Sequence, residues 1–441
     1  MKNFSEFGIK VPEILLPKNR DLGSWSVIAC DQYTQDEGYW KKAAEACEGK
    51  PSTLNIILPE VYLSSPDRKE RIQKIRKTMS EYISGGVFDE AKSEFIYVER
   101  TTEFGRKRRG LVCAIDLDSY EWKPFSKALV RATEATIVDR IPPRKEIRMN
   151  APLELPHIML LVNDREKKLV EGCGDFSKKN APVYDGDLML SSGHITGWAL
   201  DDEEMLSKVY GALSELKAKN TKEDGSCFLF AVGDGNHSLA TAKAVWEEYR
   251  DKMLSSGRSA DEVSQSPVRY ALVEIVNLYD EGLTFEPIHR VLFNCSADAL
   301  IKKTSEALGG EVSFADTDAE LEQKVRSSSA GFGFVYKENG VKKYAFLNTP
   351  VKELAVSRLQ PVLDEFISEN SGVEIDYIHG SSEVFRLAEK DSAVSVMLPP
   401  VQKDSFFETI GSRGPLPRKS FSMGEASEKR FYLECRKLFD C

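Results

Sequence analysis

Several patterns that would commit a chain to a familiar chemistry are missing from this sequence. It has five histidines in 441 residues, with no His-Glu-x-x-His pair and no His/Cys cluster, so no transition-metal site is expected. The eight cysteines (Cys30, Cys47, Cys113, Cys173, Cys227, Cys295, Cys435 and Cys441) form no Cys-x-x-Cys pair and no compact framework, and reduced thiols are expected. Walker A, dinucleotide and Gly-x-Ser-x-Gly signatures are all absent, which removes the standard nucleotide loops and the hydrolase elbow. The longest apolar runs, such as Cys227 to Val232, fall far below the ~18 residues of a membrane span. Met1 to Lys10 is charged and polar where a signal peptide needs an apolar core, so a cytoplasmic location is expected.

Positive charge is also in deficit. Lys and Arg number 60 against 70 Asp and Glu, for a net charge of −10, so neither nucleic acid nor a membrane is an expected partner. The rest of the composition is that of a folded protein: 41% hydrophobic, 29% charged and 10% aromatic. The length allows two or three domains. There is no internal repeat or low-complexity linker, and the even composition says nothing about oligomeric state.

Hydrophobic periodicity predicts an amphipathic helix over Asp67 to Ile83 and a hairpin joining Phe95–Val98 to Leu111–Leu117. Its basic tip, Arg106 to Arg109, is expected to be solvated. The charged stretch Ala128 to Asn150 reads as helix or turn, a break at Pro142-Pro143, then more helix. Strands are expected at His157–Val162, Leu188–Leu190, Ile195–Leu200 and Val268–Val276, and a helix at Glu203–Lys217. Beyond Asn294 the pattern is helix, strand, helix, a hairpin at Glu338-Asn339-Gly340, a helix near Val356–Ser368, a strand near Ala393–Leu398 and a polar tail. The expected fold class is α+β (mixed α/β): a mixed sheet with flanking helices in a main domain at 1–295, and a smaller α+β region at 296–441.

Chemistry concentrates in one segment, Cys227 to Trp246. An apolar strand runs into Gly233-Asp234-Gly235-Asn236, and Leu239, Ala242, Val245, Trp246 and Tyr249 then mark the buried stripe of a helix. A strand-to-helix turn of this kind offers unpaired N–H groups and the positive end of a dipole to a phosphate or carboxylate. Asp234 can hold Mg²⁺ or accept a proton from a hydroxyl, and His237 can transfer a proton or bind an anion. Equally, Asp234 and Asn236 can cap the helix while His237 covers its first turn. Two more constellations carry guanidiniums suited to an anion: Glu286-Pro287-Ile288-His289-Arg290, and the segment from Arg131 and Glu134 to Arg148. Each also reads as ordinary surface or strand structure. His157 and His194 flank strands and are expected to be structural.

The turn, with the Ala-rich helix behind it, resembles the family catalogued as domain of unknown function 1015, whose pattern here is Ala-Asp-Gly-His-His-Arg-Tyr. Thr133-Glu134-Ala135-Thr136 resembles that family's His-Glu-x-Thr, Glu286-Pro287-Ile288-His289-Arg290 its Leu-Pro-Thr-His-Arg, and Pro415-Leu416-Pro417-Arg418-Lys419-Ser420 its Met-Pro-x-Lys-Ser. The Asp-Gly-x-His turn in turn looks like the phosphate-binding turn of the ParB/sulfiredoxin-like fold, a group that includes free-serine kinases. The resemblance implies a site in which Gly233, Gly235, Asn236 and Ser238 cradle a nucleotide (ATP or ADP), with Arg131, Glu134, His289 and Arg290 as further binding residues. Asp234 and His237 would be catalytic, Asp234 would also hold Mg²⁺, and a phosphoryl group would pass to a small, serine-like hydroxyl compound. The alternative is a non-catalytic ligand-binding or regulatory protein. Asn236 and Ser238 depart from the pattern's first His and Arg, so another cation must serve the phosphates.

Overall fold

A computed structural model describes residues 2–439, and Cys441 lies outside them. The chain divides into two compact units, Met1–Leu283 with Glu425–Cys441, and Thr284–Gly424. The expected single boundary at 295/296 thus becomes two. The second unit is an insertion, and the chain returns to the first unit after it. The expected polar tail is largely buried there: Phe431, Tyr432, Leu433 and Cys435 are all core residues.

In chain order, the first unit contains β1 (Ile9–Lys10), α1 (Arg68–Ser84), β2 (Phe95–Thr101), β3 (Lys107–Asp116), β4 (Tyr120–Glu121), β5 (Val130–Ala132) and α2 (Ile141–Arg148). These are followed by β6 (Ile158–Val162), β7 (Tyr184–Asp187), β8 (His194–Leu200), α3 (Glu203–Asn220), β9 (Phe230–Asp234), α4 (Asn236–Ser255) and β10 (Tyr270–Asn277). One ten-stranded mixed sheet runs β7-β8-β2-β3-β10-β6-β9-β5-β4, with β1 beside β3. The β6/β10, β5/β9 and β4/β5 pairs are parallel, whereas β6 and β9 are antiparallel.

The sheet is covered on both faces because its strands alternate between two cores. Leu111, Cys113 and Ile115 of β3 enter one, with Leu239, Ala242, Val245 and Trp246 of α4 and Met205, Val209 and Leu213 of α3. Val112 enters the other, with Ile72, Ile75 and Met79 of α1. The central strand β6, Ile-Met-Leu-Leu-Val, is buried at every residue, as a strand covered on both sides must be.

Several expectations shift for identifiable reasons. Pro142-Pro143 opens α2 instead of breaking a helix, since proline is tolerated in a first turn where its missing N–H goes unused. Residues 188–190 are not a strand; Leu190 has φ +57°, and the edge strand is β7. The basic hairpin tip is only partly solvated. Arg108 is buried 3.6 Å from Glu274, and Arg106 lies 2.8 Å from Glu428.

The second unit contains β11 (Phe285–Pro287), β12 (His289–Phe293), α5 (Ala297–Leu308), β13 (Glu311–Ala315), α6 (Asp318–Arg326), β14 (Gly331–Glu338) and β15 (Val341–Asn348). Then come α7 (Ala355–Glu369), β16 (Glu374–Ile378), α8 (Ser381–Leu387), β17 (Val394–Met397), α9 (Lys403–Arg413) and β18 (Phe421–Met423). Its six-stranded antiparallel sheet runs β13-β15-β14-β17-β12-β16. Helices α5 and α7 cover the face carrying Phe332 and Phe334, and α6 and α8 the opposite face. The expected hairpin is present, with Asn339 (φ +50°) and Gly340 (φ +79°) giving β14 and β15 the left-handed pair a two-residue turn needs.

Candidate functional site

Strand β9 does not end cleanly. Its pairing with β6 shifts register between Val232 and Asp234, so Gly233 is accommodated as a bulge and Asp234 lies opposite Met159. Gly235 then takes φ +82°, and a Cβ there would lie 3.0 Å from Ile158 Cγ1, so the turn is both left-handed and pressed against β6. Helix α4 starts at Asn236 with Gly235 as its cap residue, and no side chain caps it. The N–H groups of the first turn therefore have no intrahelical acceptor, and the dipole's positive end is open. Neither Asp234 nor Asn236 caps the helix; Asp234 Oδ1 instead accepts from the Gly235 N–H at 3.1 Å.

Asn236 and His237 face a neighbouring segment of the chain. Asn236 Oδ1 accepts from the Thr133 N–H and Asn236 Nδ2 donates to Thr133 Oγ1, both at 3.2 Å, while Thr133 Oγ1 donates to the Val232 carbonyl. His237 Nε2 accepts from the Ile137 N–H at 3.3 Å, which puts the proton of the neutral ring on Nδ1. These bonds fasten 133–137 beside the turn and bring half-buried Glu134 with it.

The carboxylate of Asp234 has a cation beside it, Lys429 Nζ, 3.6 Å from Oδ2; their side chains are 21% and 10% exposed respectively. Burial pushes the Asp234 carboxyl above the usual carboxylate range. Lys429 and His157 oppose that shift, while Asp31 adds to it. His157 Nε2 lies 2.6 Å from Ser238 Oγ, and His157 Nδ1 3.0 Å from the Tyr432 hydroxyl. That hydroxyl accepts from the Cys30 N–H at 3.2 Å. Glu60 is paired with Arg144, whose Nε lies 2.8 Å from Oε1, and burial still raises the Glu60 carboxyl. A cavity of about 150 Å³ opens beside Ser238, His157, Glu60, Arg144 and Tyr432.

Among the described residues no trio of His, Cys, Asp or Glu is disposed to hold a metal ion. No disulfide joins the described cysteines, and the seven among them are free.

Of the residues singled out from sequence, Gly233, Asp234, Gly235, Asn236, His237, Ser238 and Glu134 come together. Arg131 does not join them. Its Nε donates to the Ala128 carbonyl at 2.9 Å and its guanidinium lies over Phe228, at the opposite end of β9. His289 and Arg290 belong to the second unit and serve its own sheet. His289 Nδ1 accepts from the Leu398 N–H at 3.0 Å, and fully buried Arg290 donates to Gln360 Oε1 at 2.9 Å. Sequence reasoning missed Lys429, His157 and Tyr432. His157 carried no signal separating it from His194, and nothing local to 429–432 foretells the return of the chain end to this turn.

The chain belongs to the family described as "Protein of unknown function (DUF1015)", whose profile matches residues 12–366; Pro415 to Ser420 lies beyond the match. No curated protein matches it. Among solved structures it is similar to a free serine kinase variant in complex with AMP, at 11% identity and a TM-score of 0.38, over 74% of this chain and 92% of that one. It is also similar to a conserved hypothetical protein from Pyrococcus furiosus (12%, TM-score 0.34, 74% and 97%). A third is SbnI with a C-terminal truncation from Staphylococcus aureus (9%, TM-score 0.36, 72% and 84%). Among the described residues no helix is long and apolar enough to cross a membrane.

Proposed function

We propose that the first unit binds a small phosphorylated molecule, in the leading case a nucleotide, at Gly233 to Ser238 and passes a phosphoryl group to a hydroxyl. The observation that carries this reading is the Asp234–Lys429 pair at the open first turn of a 20-residue helix. Backbone N–H groups and an ammonium are what phosphate oxygens require, and a carboxylate made more basic by burial is a better proton acceptor at neutral pH. Lys429 takes the place of the guanidinium that Ser238 does not supply.

In this reading the acceptor's O–H gives its proton to Asp234, and its oxygen forms a bond to phosphorus. The bond from phosphorus to the leaving phosphate oxygen breaks, and the electron pair stays on that oxygen. Asp234 would also be the residue to hold a Mg²⁺ shared with substrate phosphates, and such an ion would neutralise phosphate charge without needing an all-protein cage.

A second reading, a ligand-binding or regulatory protein without transfer, is favoured by one observation. Asn236 and His237 are engaged in holding 133–137 and do not both stand ready for a ligand. Incubating the protein with MgATP and hydroxyl acceptors, and repeating this with Asp234→Asn, separates the two. Transfer that is lost in the variant while nucleotide binding persists supports the first reading. Binding without turnover in the wild type supports the second, and absence of any nucleotide or phosphate binding removes both.

A further inference from the structure

A serine hydroxyl in a helix ordinarily bonds the helix's own backbone. Ser238, in the first turn of α4, does not. No side chain caps that helix, and among the described residues the hydrogen-bond partner of Ser238 Oγ is His157 Nε2, at 2.6 Å. His157 stands immediately before β6, so the contact joins two separate elements of the first unit.

What lies behind the imidazole gives that bond a direction. The Tyr432 oxygen, 3.0 Å from His157 Nδ1, accepts from the Cys30 N–H, and the Tyr432 hydroxyl is also hydrogen-bonded to the Cys30 side chain. With its own proton on the Cys30 sulfur, the oxygen has a lone pair left for a proton on Nδ1. In that arrangement Nε2 is an acceptor, and the proton shared with Ser238 belongs to the hydroxyl. A nucleophile, a base within hydrogen-bond reach and a third group that fixes the tautomer of the base are the parts of an activated serine. Tyr432 is buried, whereas Ser238 and His157 are half-buried, so the anchor is fixed and the reacting pair is reachable.

The charges around the pair favour an anion on the serine. Arg144 and Arg148 line the same cavity as Ser238 and His157. Glu60 holds Arg144, but Arg148 Nη1, 2.5 Å from Glu154, shares that carboxylate with Arg436. Three guanidiniums thus stand against two carboxylates, and Arg148 Nε is buried without a partner. A phosphate group brings negative charge and three acceptor oxygens to that surplus.

We propose that Ser238 is a nucleophile with His157 as its base, and that it takes the terminal phosphoryl group of the bound nucleotide to become phosphoserine. Ser238 Oγ forms a bond to the terminal phosphorus, and its proton passes to His157 Nε2. The bond from that phosphorus to the bridging oxygen breaks, and the electron pair stays on the departing nucleotide. This transfer is separate from the one to a small hydroxyl compound, whose proton goes to Asp234. The phosphoryl donor rests on the nucleotide reading above; the reactivity of Ser238 does not.

The test incubates the full chain with MgATP and, separately, with a fluorophosphonate probe, whose P–F bond breaks and releases fluoride as the serine oxygen attaches. Modified residues are mapped by mass spectrometry on the wild type, so the mapping does not depend on a variant folding. Both reagents are expected to mark Ser238. His157→Gln, checked for an unchanged melting temperature, is expected to slow both reactions at least about a hundredfold. Calorimetry is expected to show that this variant still binds nucleotide. Nucleotide bound without phosphate on Ser238, phosphate mapped to other residues alone, or a folded His157→Gln marked at the wild-type rate overturns the proposal. If no nucleotide binds, the transfer reading fails by itself and the probe decides the rest. Ser238 marked then sustains the nucleophile, and Ser238 unmarked sinks it.

Discussion

Asn236 and Thr133 exchange two hydrogen bonds, side-chain amide to hydroxyl and backbone N–H to side-chain carbonyl, each at 3.2 Å. The first residue of α4 thereby fixes the segment that carries Glu134. Asn236→Ala removes both bonds and leaves the partly buried Thr133 N–H without its acceptor, at a cost of about 1–3 kcal/mol. The expected outcome is a lower melting temperature and faster amide exchange confined to 133–137. Asn236→Asp keeps the acceptor and loses only the donor, so its effect should be about half as large. Equal exchange rates across all three proteins would contradict this role.

Gly235→Ala should be more damaging than a surface glycine change. The substitution needs φ +82°, and its Cβ meets Ile158 Cγ1 at 3.0 Å. Left-handed strain alone costs about 1–3 kcal/mol. Chemical denaturation should show at least that loss, whereas Gly257→Ala, at φ +91° but with open space around it, reports the backbone strain alone. A Gly235 loss no larger than the Gly257 loss would show that contact with Ile158 is unimportant.

His289 makes the second unit acid-sensitive. Burial above all, with Arg290, His379 and Arg326 adding to it, depresses its pKa from 6.5 to about 4, and the Leu398 N–H occupies Nδ1. Because the unfolded chain takes up this proton first, the contribution is full above 6.5 and is lost as pH falls toward 4. The loss amounts to about 3 kcal/mol. Histidine proton NMR should show one ring still neutral at pH 5. His289→Asn, which keeps an acceptor but does not titrate, should flatten the stability profile of that unit between pH 6.5 and 4.

Arg430 is buried to 1% exposure between Glu274 and Glu434, with both carboxylates in direct contact. Arg430→Met removes the cation in contact with buried Glu434 and leaves Glu274 to Arg108 at 3.6 Å, and should cost about 3–5 kcal/mol. Thermal melting of the variant checks this, and an unchanged melting temperature would contradict it.

The parts of the fold written in short-range patterns were legible. Periodicity predicts α1 and observation gives Arg68–Ser84, and the strand-turn-helix at Gly235 and the Asn339-Gly340 hairpin stand where their residues indicate. Arg131 and the His289-Arg290 pair are visible as cation-bearing segments, but which end of a strand or which unit receives them depends on pairings far apart in sequence. Lys429 and Tyr432 were invisible for the same reason, since they reach the turn only because the chain re-enters the first unit after a 141-residue insertion, Thr284–Gly424. The Arg106–Arg109 run misled because charge density suggests solvent exposure, while Glu274 and Glu428, its buried partners, lie more than 150 residues away.

The central claim is that the Asp234–Lys429 turn binds phosphate oxygens. Isothermal titration of ADP and MgATP against the wild type and Lys429→Met tests it most directly, with melting curves alongside. A ligand present at about 100 times its dissociation constant should add about 2.7 kcal/mol of stability to the wild type. The account predicts wild-type binding that weakens at least tenfold in Lys429→Met while the fold is kept. A wild type that binds no nucleotide or phosphate, or a Lys429→Met variant that binds as well as the wild type, would contradict it.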